Sequence, residues 1–146
     1  MTGTATCRVW LAVLNAVARG QHNPHGYTYA LADKALPQTL TVWHDGQVVV
    51  HGLANTGTAA TPTADGTYPV YLRNRFQVMR GLMPDGTPYA DPVQFVAFFN
   101  GNDAVHSMDR VSYGWPQSLG CVELTLSEAR QVWPYLTYGS LVTVTS

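Results

Sequence analysis

The sequence predicts a mainly β domain carrying one or two short α-helices. Three observations predict it: β-rich apolar runs recur along the chain, Gly- and Pro-bearing turn signals separate them, and charge is scarce. Charged residues make up 12% against 46% hydrophobic, with 13 Gly, 9 Pro and 8 Tyr, which suits a compact, loop-rich globule rather than a charged helical bundle. At 146 residues the chain fits one domain, since a chain of this size buries roughly 70% of its unfolded surface and a second core would be starved.

In chain order, Val9–Ala18 follows Arg8 and ends Ala16-Val17-Ala18. It carries a faint signal-peptide pattern, but Asn15 interrupts it and the run is short. An amphipathic helix with Val9, Val13, Ala16 and Val17 on one face is the preferred reading. Gly20-Gln-His-Asn-Pro-His-Gly26 stops that element, because Gly accepts positive φ and Pro removes a donor. Thr39–Trp43 and Gln47–His51 are β-rich and flank His44-Asp45-Gly46, a hairpin signal. Thr67–Leu72 alternates like a strand, and Pro69 pushes it toward an edge. Met83–Pro92 holds three prolines and reads as a loop able to cover a site, followed by an apolar strand at Val93–Phe99. Asn100–Asp103 turns the chain into Ala104-Val105-His106. A second Gly- and Pro-bearing loop then reaches Cys121. Ser127 is the expected N-cap of a helix over Glu128–Leu136, and Leu141–Thr145 is a closing strand.

Charge and cysteine count exclude several function classes. A formal net charge of -1 with scattered Lys and Arg offers no field for a phosphate backbone, so nucleic acid is not an expected partner. No apolar run approaches the ~18–20 residues of a membrane span. Two cysteines cannot build a four-cysteine zinc site, and no pair of the five histidines has zinc-ligand spacing. Cys7 lies in a polar N-terminal run and Cys121 between Ser-Leu-Gly and Val-Glu-Leu, contexts so different that we read them as unpaired.

A cysteine nucleophile needs a base to form the thiolate and amides to hold the oxyanion. Ser118-Leu-Gly-Cys121 supplies a thiol and a turn in which Gly120 lets the amides of Gly120 and Cys121, with Leu119 as a third, converge. His106 is the candidate base, and its second ring nitrogen needs an acceptor to fix the tautomer. Taken alone, an isolated buried cysteine is more often a small core residue.

The run His106–Leu124, with its His-Ser, a loop of a dozen or so residues and Ser-Leu-Gly-Cys-Val, resembles the catalytic motif of the YkuD-type L,D-transpeptidases. His106 matches the histidine, Ser107 the residue after it and Cys121 the nucleophile. Thr39–Gly46 resembles the family's entry hairpin, Thr61–Val70 its Thr-Pro-x-Gly segment, and Gly139–Val144 its terminal Gly-Thr-x-Val strand. Four segments in order over residues 39–145 are far more specific than any one of them. The sequence departs twice: Leu119 stands where the family has histidine, and Glu123 where it has Arg or Asn. Leu119 leaves the Cys121–His106 pair intact. Glu123 is expected to pair with Arg110 or Arg73, with reversed polarity.

The resemblance implies a two-sheet mixed β-sandwich, with residues 1–30 as an N-terminal helix and linker and 31–146 as the catalytic domain. It implies acyl transfer on tetrapeptide stems of bacterial peptidoglycan in the cell envelope: Cys121 releases the terminal D-alanine, and a second stem's amine completes a 3→3 cross-link. Carbapenems are the expected covalent inhibitors, and the implied mechanism needs no metal or organic cofactor. Cys121, His106, Gly120 and Ser118 are the expected catalytic group, with Ser118 either orienting His106 or capping the turn. Tyr89, Ser107, Leu119 and Trp115 are expected at the substrate, with Met83 and Phe98 or Phe99 as further walls. The alternatives are an L,D-carboxypeptidase of the same chemistry and an inactive peptidoglycan-binding relative. A papain-like protease is disfavoured because its cysteine precedes its histidine in the chain.

Overall fold

The computed structural model describes residues 6–24 and 26–146. The Met1–Ala5 part of the polar run, and His25 of the expected turn, lie outside them. The chain forms a helix α1 (Cys7–Ala18), then strands β1 (Thr28–Asp33), β2 (Thr39–His44), β3 (Gln47–Leu53), β4 (Gly66–Pro69), β5 (Leu72–Leu82), β6 (Pro88–Asn100), β7 (Asp103–Ser107) and β8 (Val122–Leu124), a helix α2 (Leu126–Val132) and β9 (Leu141–Thr145). One sheet has the order β3-β2-β1-β9-β4 and the other β5-β6-β7-β8. Both are mixed, since β1 runs parallel to β9 and β7 parallel to β8. This is the two-sheet sandwich the resemblance implies.

The core lies between the sheets. Ala30, Ala32, Leu40, Val42, Val142 and Val144 face it from the first sheet, and Phe95, Ala97, Phe99, Val105, Val122 and Leu124 from the second. A smaller cluster of Val93, Val96 and Ala104 lies apart, with Met79, Phe98, Met108 and Cys121 packed against it. Phe95, with φ at 57°, accounts for the division: a left-handed residue breaks the strand's period of two, so Val93 and Val96 share one cluster although three positions apart.

The Asp45-Gly46 turn takes positive φ at both central residues, 48° and 80°, the backbone that matches strand twist in a two-residue hairpin. Pro69 ends β4, an edge strand. Two strands escape the sequence reading. The buried positions of β1 are Thr28, Ala30 and Ala32, too small to signal a strand, and β1 begins inside the expected 1–30 linker. β5 is rich in Arg, Asn and Gln and buries no position.

The helix near the C-terminus needs a correction. It spans Leu126–Val132, and Thr125, not Ser127, caps it. The Thr125 hydroxyl accepts from the Glu128 amide at 3.1 Å, and the Glu128 carboxylate accepts from the Thr125 amide at 3.2 Å. This capping box recruits a Glu at N3, which only Thr125 has at the right distance. Ala129 and Val132 plug the helix into the core against β7. The N-terminal helix forms as expected but buries no residue. Among the described residues no helix is long and apolar enough to cross a membrane.

Candidate active site

Strands β7 and β8 set the site. Their register pairs Val105 with Val122 and His106 with Glu123. Side chains alternate along a strand, so Val105 and Val122 enter the core while Ala104, His106, Cys121 and Glu123 turn to the outer face. There His106, Cys121 and Glu123 line one cavity of about 430 Å³, walled by Met79, Met83 and Tyr89 of the β5–β6 hairpin and by Leu119.

His106 is buried, and its Nδ1 lies 2.8 Å from the Ser107 carbonyl. A carbonyl only accepts, so Nδ1 carries the proton and Nε2 is left as a base. Burial lowers the His106 pKa, opposed by the Ser107 carbonyl and Glu123 and reinforced by Arg110. The imidazole is therefore neutral at pH 7. The Cys121 thiol is pushed up to about 12, first by burial and then by the negative charges of Asp103 and Glu123, against a backbone hydrogen bond from Ala104. Its Sγ donates to the Asn102 carbonyl at 3.7 Å. At rest a neutral thiol and a neutral imidazole line the same cavity, and a thiolate forms only when the thiol hands over its proton.

The turn before Cys121 is braced by Ser118. Its hydroxyl donates to the Cys121 carbonyl at 2.6 Å and accepts from the Gly120 amide at 3.2 Å. Ser118 thus caps the turn, and no hydrogen bond links it to His106. It also engages one of the three amides expected to converge on an oxyanion. Gly120 has φ at 121°, a conformation that strains any L side chain, and a Cβ there would stand 2.5 Å from the Asp103 carboxylate, which would have to move. Asp103 is half-buried in the same cavity, and desolvation raises its pKa to about 6.

The structure brings His106, Cys121, Leu119, Tyr89, Met83 and Phe98 to the cavity lining. Phe99 belongs to the core. Ser107 is buried away from the lining, its hydroxyl accepting from the Gln94 amide at 3.0 Å. Trp115 stands half-exposed on the His–Cys loop and does not line the cavity. Glu123 pairs with Arg110, which donates through Nε at 2.9 Å and Nη2 at 2.7 Å. Arg73 is engaged elsewhere, its guanidinium 3.8 Å from the centre of the Trp133 ring.

Sequence reasoning missed Asn55. Fully buried, it exchanges backbone hydrogen bonds with Glu123 at 2.9 and 3.0 Å, and its side-chain oxygen accepts from the Gly114 amide at 3.0 Å. With Thr56, whose carbonyl accepts from the Gln117 and Ser118 amides, it pins the His–Cys loop to the sheet. A polar residue in a small-residue loop gave no signal of this.

The family model described as the L,D-transpeptidase catalytic domain, YkuD, matches residues 27–144. No curated protein matches the chain in sequence. Among solved structures, an L,D-transpeptidase from Mycobacterium smegmatis is 25% identical over 83% of this chain and 59% of that one, with a TM-score of 0.75. L,D-transpeptidase 3 from Mycobacterium tuberculosis, in complex with a faropenem-derived adduct, is 23% identical over 83% and 61%, with a TM-score of 0.73. The Enterococcus faecium L,D-transpeptidase is 21% identical over 92% and 62%, with a TM-score of 0.74. The chain thus spans 59 to 62% of the length of these structures.

Proposed function

The chain belongs to the YkuD family of L,D-transpeptidase catalytic domains, and from that premise we propose that it joins peptidoglycan stem peptides through an acyl-enzyme on Cys121. The observation that carries the reading is the His106 tautomer: its Nδ1 is committed to the Ser107 carbonyl, so Nε2 is a free base in the cavity that holds the thiol.

The chemistry follows from these groups. His106 Nε2 takes the Cys121 proton as sulfur attacks the carbonyl carbon of the third residue of a tetrapeptide stem. The Cys121 and Leu119 amides are the donors this turn leaves for the resulting oxyanion, because Ser118 holds the Gly120 amide. Collapse expels D-alanine, whose amine takes the proton from His106 and leaves a thioester. A second stem's amine attacks the thioester, gives its proton to His106, and the cross-link leaves as the thiol is restored. Such stems are found in the bacterial cell envelope, where we place the protein. The faropenem-derived adduct of the M. tuberculosis relative supports β-lactams as ligands of the same cavity.

The test is turnover of a tetrapeptide stem with an amine acceptor, read by mass as free D-alanine and cross-linked dimer. Cys121→Ala should abolish both products, and His106→Ala should slow them about 10²- to 10⁴-fold. Because burial depresses the His106 pKa, the base is already free at pH 6.5, and the rate should fall only at lower pH. Turnover that persists in Cys121→Ala would contradict the assignment, and D-alanine without dimer would make the protein a carboxypeptidase.

A further inference from the structure

A second cavity, of about 540 Å³, shares no lining residue with the first. It follows from the topology. Strands β1 and β9 are parallel neighbours, with Tyr29 beside Leu141, so both begin at the same end of the sheet. The segments that precede them, around Gly26-Tyr27 and Thr137–Gly139, form two facing walls, with Thr28 and Ser140 beside them.

The chemistry of this cleft is distinctive. None of its described lining residues is charged, and the Asp45 carboxylate beside it accepts from the Tyr27 amide at 2.8 Å. Tyr27 and Tyr138, 55% and 65% exposed, flank it, and neither phenol hydroxyl has a hydrogen bond within the described protein. Between them lie hydroxyls already held in place. Thr28 Oγ1 is 3.0 Å from His44 Nδ1, while Ser140 Oγ donates to the Tyr135 carbonyl at 3.1 Å and accepts from the Thr137 amide at 3.0 Å. A hydroxyl-lined cleft flanked by tyrosines offers ring faces for apolar stacking and polar tips for hydrogen bonding.

We propose that the Tyr27–Tyr138 cleft binds a neutral glycan, stacking the carbon–hydrogen face of a sugar ring on tyrosine while the phenols bond to its hydroxyls and amides. The lining decides the class. A nucleic acid strand needs a cationic track, and the described lining holds neither Lys nor Arg. A glycan needs ring faces and hydroxyls, which the lining supplies. Choosing an N-acetylhexosamine chain as the particular glycan rests on the proposed function, since that polymer carries the stems, and the cleft would hold the strand while Cys121 works on its peptide.

The test is titration of the full chain with a soluble, peptide-free β-1,4-linked N-acetylglucosamine tetramer, followed by calorimetry and by amide chemical shifts. Saturable binding with shifts confined to residues 26–28 and 137–140 is expected. Tyr138→Ala or Tyr27→Ala should weaken it about tenfold, and Tyr138→Phe, which keeps the ring, should lose less. Both tyrosines are exposed, so a thermal melt matching wild type checks that each variant folds. Absence of saturable binding, equal affinity in both alanine variants, or shifts at the Cys121 cavity would overturn the proposal. Carbapenem adduct formation read on the same samples separates the outcomes: a failed titration with adduct intact condemns the cleft alone.

Discussion

Glu123 shows how a single residue reverses the polarity of a site without dismantling it. Where relatives by resemblance carry Arg or Asn, this chain buries a carboxylate and supplies the cation from Arg110, 13 residues earlier on the His–Cys loop. Both oxygens of Glu123 are engaged, so the pair is a fork-to-fork contact. Sequence left Arg110 and Arg73 as equal candidates, because it could not show that Arg73 lies on Trp133. Removing Arg110 would strand a carboxylate that is only 4% exposed. Arg110→Ala should therefore cost about 2–3 kcal/mol, somewhat less than a fully buried pair because Arg110 is partly exposed. Chemical denaturation checks this, and the Arg110→Ala, Glu123→Gln double variant should lose less than the two singles summed. Additive losses would mean that the pair contributes nothing as a pair. His106 and Cys121 were legible from residue type and order, whereas the Ser107 carbonyl was not, because a backbone acceptor leaves no mark on residue identity.

The hairpin of β5 and β6 is the element that the sequence misread most. Three prolines suggested a loop from Met83 to Pro92, yet β6 already begins at Pro88. Only the end of β6, from Ala97 to Asn100, pairs with β7, so its first half has one open edge. Pro88 and Pro92 share the parity of Gln94, whose amide points away from β5 toward Ser107. Their missing N–H groups therefore face that open side and cost no ladder bond. The hairpin positions Tyr89 over Gly81, its cross-strand partner. A Cβ on Gly81 would meet the Tyr89 hydroxyl at 2.7 Å and its ring at 2.8 Å. Gly81→Val should push the Tyr89 ring from its seat into the cavity that it lines. The expected result is a KM for the tetrapeptide raised about fivefold, equivalent to about 1 kcal/mol, with the melting temperature little changed. An unchanged KM would remove Tyr89 from the substrate wall.

At the scale of the molecule, the ordered succession of hairpin, Thr-Pro segment, His–Cys motif and terminal strand made the sandwich legible, even though β1 and β5 were not. Those strands are specified by neighbours more than by their own residues: β1 sits between β2 and β9 and needs only small buried side chains there. The helix α1 stands apart from this logic. It buries nothing, and Trp10, Leu11, Leu14 and Val17 are all more than half exposed. Deleting residues 1–20 should leave the melting temperature within about 2 °C of the full chain. A larger drop would show that the helix supports the sandwich.

The central claim is that Cys121 is a nucleophile that His106 activates on demand. Intact-protein mass spectrometry after incubation with a carbapenem tests it most directly, comparing wild type with Cys121→Ala and Cys7→Ala. Cys7 is exposed and both cysteines are free, so the second variant controls for unspecific thiol reaction. A single stable adduct present in wild type and Cys7→Ala and lost in Cys121→Ala is the predicted result. No adduct on the folded wild-type protein, or one that survives in Cys121→Ala, would contradict the account.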